Sequence, residues 1–154
     1  MLPCGKCIGC RLEYSRQWAL RAVSEANLYD DNCFVTLTYD DDHIPPDGNL
    51  RKKDLQLFIK RLRKNIISFY RHPRNKPPVL VKHQYPVGHK IKYMMSGEYG
   101  SDNLRPHYHL ILFNCDFYDK VPVLGTDYYE SDLLSSLWPN GFVNLARVSF
   151  DTCA

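Results

Sequence analysis

The stretch "RPHYHLILF" (105–113) sets two histidines one residue apart in an otherwise apolar run. Side chains alternate across a strand, so His107, His109, Ile111 and Phe113 share one face while Tyr108, Leu110 and Leu112 cover the other. Apolar residues on both faces mark a central strand, buried above and below. Two imidazoles side by side on such a strand need a reason. A metal ion is one, since neutral imidazole is the commonest protein metal ligand. The alternative is a pair of histidines that are merely hydrogen-bonded.

A hard-metal site also needs oxygen. The segment "IKYMMSGEYG" (91–100) reads as the preceding strand, "SDNLRP" (101–106) as a turn, and "HYHLILFN" (107–114) as the second strand. In such a hairpin, directly opposite residues share a face. Pairing Glu98 with His107 or His109 therefore gathers one carboxylate and two imidazoles. A slip of one residue pairs Glu98 with Tyr108 and sends the carboxylate to the wrong side. The mixed nitrogen and oxygen set suits Mn²⁺ or Mg²⁺, and also Zn²⁺ or Fe²⁺; spacing leaves the choice open.

Working outward, "RLEYSRQWALRAVSEANL" (11–28) reads as a helix with Ala19, Ala22, Val23 and Ala26 in a narrow stripe beside Trp18. "CFVTLTYD" (33–40) has the β-branched and aromatic content of a buried strand. Pro45, Pro46 and Gly48 punctuate a loop. Over 51–67, Leu55, Phe58, Ile59, Leu62 and Ile66 recur at helical spacing among basic residues. "YRHPRNKPP" ends that helix, because proline cannot continue it. "DYYESDLLSSLW" (127–138) reads as a further helix stopped by Pro139 and Gly141, and "FVNLARVSF" (142–150) as a last strand. The order helix, strand, helix, strand, strand, helix, strand predicts an α+β domain with a mainly antiparallel sheet and helices packed on it.

A chain of 154 residues is one domain's length. Its formal net charge is only +3, so the distribution says more than the total. "LRKKDLQLFIKRLRK" (50–64) concentrates Lys52, Lys53, Lys60, Arg61 and Lys64, a cationic set suited to phosphates. The other reading of this run is a solvated amphipathic helix. Arg105, beside the histidines, is a further phosphate candidate. No apolar run of membrane-spanning length occurs, so no membrane partner is expected. "MLPCGKC" carries no apolar signal region, which points to a reducing interior and to cysteines that are free or metal-bound. Cys4, Cys7 and Cys10 have C-x-x-C spacing, the pattern of a structural zinc site. Cys33, Cys115, Cys153 and His43 are candidates for the fourth ligand. A zinc deaminase is excluded, because no P-C-x-x-C follows the histidines.

Taken together, "PCGKCIGCRLEYSRQWALR", "FVTLTYDDDHIP", "LQLFIKRLRK" and "GEYGSDNLRPHYHLILF" resemble the replication initiation proteins of gokushovirus-type microviruses. Those proteins are similar to the HUH endonucleases, whose two histidines flank one bulky residue; here the triplet is "HYH". The resemblance implies a five-stranded antiparallel sheet of ferredoxin-like kind, flanked by helices. It implies a nicking endonuclease that starts rolling-circle replication on single-stranded DNA at a viral origin, with host replication proteins as further partners and the bacterial cytoplasm as its location. Glu98, His107 and His109 map onto the family's metal ligands, with Mn or Mg as cofactor and a structural Zn as a second. The family nucleophile is a tyrosine in a Y-x-x-K motif on a helix after the last strand. None of the eleven tyrosines has lysine three residues on. The nucleophile is therefore expected beyond Ala154; the alternative is an internal tyrosine such as Tyr118, Tyr128 or Tyr129. The domain expectation is a Cys motif and helix (1–32) packed on a nuclease core (33–154). The competing function is a non-catalytic zinc-knuckle module that binds nucleic acid.

Overall fold

The computed structural model describes residues 3–74, 76–100 and 104–153, residue 151 by its backbone alone. The chain runs α1 (Ile8–Ala26), β1 (Asn32–Tyr39), α2 (Lys52–Ile66), β2 (Phe69–Arg71), β3 (Val79–Val81), β4 (Lys92–Tyr99) and β5 (Pro106–Phe113). It continues through β6 (Val121–Pro122), β7 (Tyr128–Glu130), α3 (Asp132–Leu137), β8 (Gly141–Ala146) and α4 (Phe150–Cys153). Residues 101–103 of the expected turn lie outside the described residues.

β1 alternates along its whole length. Cys33, Val35, Leu37 and Tyr39 are buried on one face, and Phe34, Thr36 and Thr38 stand on the other. Both its edges are paired, to β5 and to β8. The main sheet has the order β4-β5-β1-β8-β7-β6, with every neighbouring pair antiparallel. β1 and β4 consequently run the same way with β5 between them, and β5 and β8 do so with β1 between them. The units β1-α2-β4 and β5-α3-β8 are thus two interlocked split βαβ motifs, the ferredoxin-like arrangement. The class is α+β, as expected. The sheet has six strands rather than five because the connection from β5 to α3 adds β6 and β7 at one edge.

The two faces are covered differently. On one, Leu55, Phe58, Ile59, Leu62 and Ile66 of α2 and Leu134 and Leu137 of α3 pack with Val35, Leu37, Tyr108, Leu110 and Leu112. Full burial of each such side chain contributes about 1.5–3 kcal/mol, which makes this the main core. The Trp138 indole N–H donates to the Thr38 carbonyl at 3.1 Å and ties the end of α3 to β1. On the other face, Ala22 and Ala26 of α1 pack against Ile111 and Phe113. Alanine lets the helix lie close to the strands, but it buries little area. Gly141 opens β8 at φ 149°, where a Cβ would run into the backbone of Thr38–Asp40. Glycine therefore lets β8 close on β1 beside the histidine end of the sheet.

Three local expectations are corrected. The helix over 127–138 is β7 followed by the short α3, because Ser131 caps the helix there by accepting from the Leu134 N–H at 3.0 Å. The segment 69–81, expected to be a helix end and loop, contains the ribbon β2–β3. The last strand stops at Ala146, and α4 follows it. Among the described residues no helix is long and apolar enough to cross a membrane.

Candidate metal centre

The β4–β5 register sets Glu98 opposite His107 and Ser96 opposite His109. Glu98 Oε2 lies 3.6 Å from His107 Nε2 and 3.3 Å from His109 Nε2. Each imidazole is held from behind. His107 Nδ1 lies 3.0 Å from the Arg105 carbonyl, which can only accept, so Nδ1–H donates. The Thr36 hydroxyl meets His109 Nδ1 at 3.0 Å, and the Phe34 ring stacks on His109 at 5.4 Å.

This arrangement has an electrostatic consequence. A neutral His107 that donates from Nδ1 presents a bare Nε2 lone pair to a carboxylate oxygen. Burial, opposed in part by Glu98, holds His109 below the ordinary imidazole value, so His109 stays neutral over a wider pH range. Three electron-pair donors converging without a positive charge would repel one another. The donor set fits a divalent ion: bonds of about 2.1 Å at tetrahedral to octahedral angles put ligand atoms roughly 3.0–3.4 Å apart. Glu98 is 56% exposed, so the site is open on its carboxylate side.

Glu98 and His109 also line a cleft of about 680 Å³, walled by Tyr14 and Trp18 of α1 and by Thr152 and Cys153 of α4. The sequence alone does not single out Tyr14, Trp18, Phe34 or Thr36 as site residues. For Thr36 a signal exists, because it sits in a strand of the same period as the histidines and pairs with His109.

A second group of ligand atoms lies at the start of α1. Cys4, Cys7 and Cys10 keep their sulfurs within 4.8 Å of one another, and Cys4 Sγ is 3.8 Å from Cys10 Sγ. Tetrahedral zinc with Zn–S bonds of about 2.3 Å needs sulfurs roughly 3.8 Å apart. Cys7 occupies the position just before the helix, and its N–H donates to Cys4 Sγ at 3.3 Å. The backbone N–H of Cys7, then that of Lys6, hold the Cys4 thiol down to about 6. No fourth His, Cys, Asp or Glu among the described residues joins the group. Cys33 and Cys115 are buried in the main core, Cys153 packs under α1, and His43 bonds Asp40 at 2.7 Å.

The cations are not gathered at Glu98. α2 covers the face of the sheet opposite the histidines, so Lys52, Lys53, Lys60, Arg61 and Lys64 lie on that side. Arg61 donates to the Leu137 carbonyl at 2.9 Å. Arg105 is near the cluster in sequence but donates to the Tyr39 carbonyl at 2.9 Å and pairs with Asp41. Nor are the three alternative tyrosines. Tyr118 donates to Asp31 at 3.0 Å, at the end of β1 far from the Thr38–His107 pair, and Tyr128 and Tyr129 sit on β7, separated from β5 by two strands.

Comparison with known proteins agrees with this fold and site. The family model for the replication-associated protein ORF2 matches residues 32–154. The chain belongs to that family. Its relatives include replication-associated protein VP4 of Bdellovibrio phage phiMH2K, 36% identical over 99% of this chain and 45% of that protein. Replication-associated protein ORF2 of Spiroplasma virus 4 is 34% identical over 97% of this chain and 44% of its own length. Replication-associated protein ORF4 of Chlamydia phage 1 is 33% identical over 94% and 34%. The chain thus spans less than half the length of each of these family members. No solved structure matches it.

Proposed function

We propose that residues 33–154 form the metal-binding core of an HUH-type endonuclease that nicks single-stranded DNA at the origin of a small phage. Such nicking would start rolling-circle replication in the cytoplasm of the bacterial host, with host replication proteins following. The observation that carries this reading is Glu98 Oε2 facing two imidazole Nε2 atoms at 3.3 and 3.6 Å, with both rings held from behind. Glu98, His107 and His109 would hold Mn²⁺ or Mg²⁺, which when bound polarises a phosphate and offsets charge developing on it. Thr36 and the Arg105 carbonyl fix the imidazoles so that their lone pairs point at one spot.

The attacking tyrosine comes from outside residues 1–154. Its oxygen bonds to phosphorus, the bond to the 3′-oxygen breaks, and that oxygen takes up a proton to leave as a free hydroxyl. The phosphotyrosine bond conserves the phosphodiester's energy for religation. The position of α4 in the cleft wall supports delivery of a following segment to Glu98 and His109. Residues 1–32 belong to the same domain, as the packing of Ala22 and Ala26 on the sheet supports. Cys4, Cys7 and Cys10 would hold a structural zinc completed by a further ligand. Arg105 and the α2 cations would meet DNA phosphates, the latter only where the strand passes around the sheet edge.

The test is manganese-dependent nicking of origin DNA by the full-length protein with His107→Ala and His109→Ala. Loss of several kcal/mol of charge stabilisation lowers nicking by at least about 100-fold. Nicking that persists in the double variant refutes the site.

A further inference from the structure

We propose that Trp18 and Tyr14 of α1 form a stacking seat for one unpaired base of the DNA strand whose backbone lies at Glu98, His107 and His109. The proposal rests on the reading of single-stranded DNA as the substrate, and it assigns α1 a role in gripping that substrate.

α1 is held to the sheet at its C-terminal half by Ala19, Ala22 and Ala26, all buried. One and two turns nearer the N-terminus, the same side of the helix carries large aromatics instead. Trp18 is 37% exposed and Tyr14 is 62% exposed. Core residues of this size would be buried, and here they are not. Their rings meet edge to face, with centroids 6.0 Å apart at 74°, so neither hides the other's flat surface. The Arg21 guanidinium lies 5.0 Å over the Trp18 ring and brings positive charge to the seat.

The two aromatics line the cleft that also contains Glu98 and His109, with Phe34 and the Ser96 hydroxyl between. At about 680 Å³ the cleft falls within the roughly 300–1,000 Å³ of small-molecule sites. One space thus joins an apolar, aromatic wall to a cluster of phosphate-directed donors. A nucleotide has that same polarity, a flat base at one end and an anionic phosphate at the other. Aromatic stacking accepts any base, because every base has a π-face. Duplex DNA cannot use the seat, because its bases are paired and stacked on one another. A base held here fixes the neighbouring phosphate against the donors, which is positioning rather than chemistry.

The chain has two tryptophans, and Trp138 is 1% exposed. The emission difference between wild type and Trp18→Phe in the full-length protein therefore reports on Trp18. The titrant is a single-stranded oligonucleotide of the origin strand, in EDTA so that no metal contributes. We expect quenching of the Trp18 signal and about 5- to 100-fold weaker binding by Trp18→Ala. Trp18→Phe should recover most of the affinity. A single abasic site that weakens wild type but not Trp18→Ala should identify the seated base. Trp18→Ala that binds as tightly as wild type overturns the seat, as does equal quenching by duplex. If DNA leaves Trp18 emission unchanged because a second copy or the chain's own continuation already shields it, the seat is also refuted. Emission that varies with protein concentration identifies the first case, and shielding from acrylamide at every dilution the second. Glu98→Gln separates the two proposals: quenching kept with nicking lost supports both, whereas nicking kept refutes the metal reading and leaves the seat standing.

Discussion

The two clusters of candidate metal ligands are built on opposite principles. Cys4, Cys7 and Cys10 come from seven consecutive residues at a helix start, all exposed or half-exposed. Their convergence needs one loop and one turn of helix. Glu98, His107 and His109 come from two strands, and they converge only because β4 and β5 pair in one register. The first cluster is a property of local sequence. The second is a property of the sheet, because each imidazole also borrows a partner from the surrounding fold, Thr36 from β1 and the Arg105 carbonyl from the hairpin. A local site tolerates loss of the fold, whereas a register site does not.

The comparison breaks most visibly at the ligands. His109→Ala should weaken Mn²⁺ binding by about 100-fold or more, beyond the 10–100-fold typical of losing a supporting partner. Cys7→Ser should leave it unchanged, with titration calorimetry as the readout. Equal losses in the two variants would mean that the clusters are one site. Thr36→Val comes next. It keeps shape and strand propensity but removes the hydroxyl that meets His109 Nδ1. Roughly 10- to 100-fold weaker Mn²⁺ binding is expected, and an unchanged affinity would show that the ring is held by packing on Phe34 alone.

The thiols sharpen the contrast from the other side. Cys4 is held down to about 6, whereas burial pushes Cys33 and Cys115 up. At pH 7 most Cys4 is thiolate, against a few per cent for an ordinary thiol. A low-pKa thiolate is the weaker nucleophile, so the expected gain in alkylation rate is about 10-fold. Mass spectrometry of metal-free protein should find Cys4 modified first, Cys33 and Cys115 modified only on unfolding, and Cys4 protected by zinc. Early modification of Cys33 or Cys115 would contradict their burial.

How much of this is readable in the chain depends on the range of the interaction. The alternation of "HYHLILF" and of β1 has period two, so both faces of the central strands are legible. That period also restricts Glu98 to registers in which it either joins the histidines or leaves the sheet face. The pair Tyr128–Tyr129 misleads, because two tyrosines before an amphipathic run suit helix and strand alike until the Ser131 cap decides. The α2 cations are legible as a cluster, but the face of the sheet that they occupy is not. That depends on the β1-α2-β4 crossover, a non-local fact. Arg105 looks like a phosphate contact by its neighbours in sequence; its tie to Tyr39 and Asp41 crosses between strands. Trp18 stands in the sequence only as the neighbour of an alanine stripe, and nothing in the local pattern says that the stripe ends where the cleft begins.

The smallest expected effect tests whether the two clusters communicate at all. Both touch α1: Cys10 lies in its first turn, and Trp18, two turns on, walls the cleft of the second site. A zinc knuckle that set the helix angle would be felt at Glu98. Yet α1 is anchored by Ala22 and Ala26 on Ile111 and Phe113, beyond Trp18 and independent of the cysteines. None of the three ligands of the strand site lies on α1. Sites without shared partners behave additively to within a few tenths of a kcal/mol. Cys10→Ser should therefore change Mn²⁺ affinity by less than about 2-fold, while the Trp18 emission, one helix away from the strands but on the same helix as Cys10, is free to shift. A Mn²⁺ affinity that tracks zinc occupancy would instead make α1 a lever between the two sites, with the alanine contact as its fulcrum.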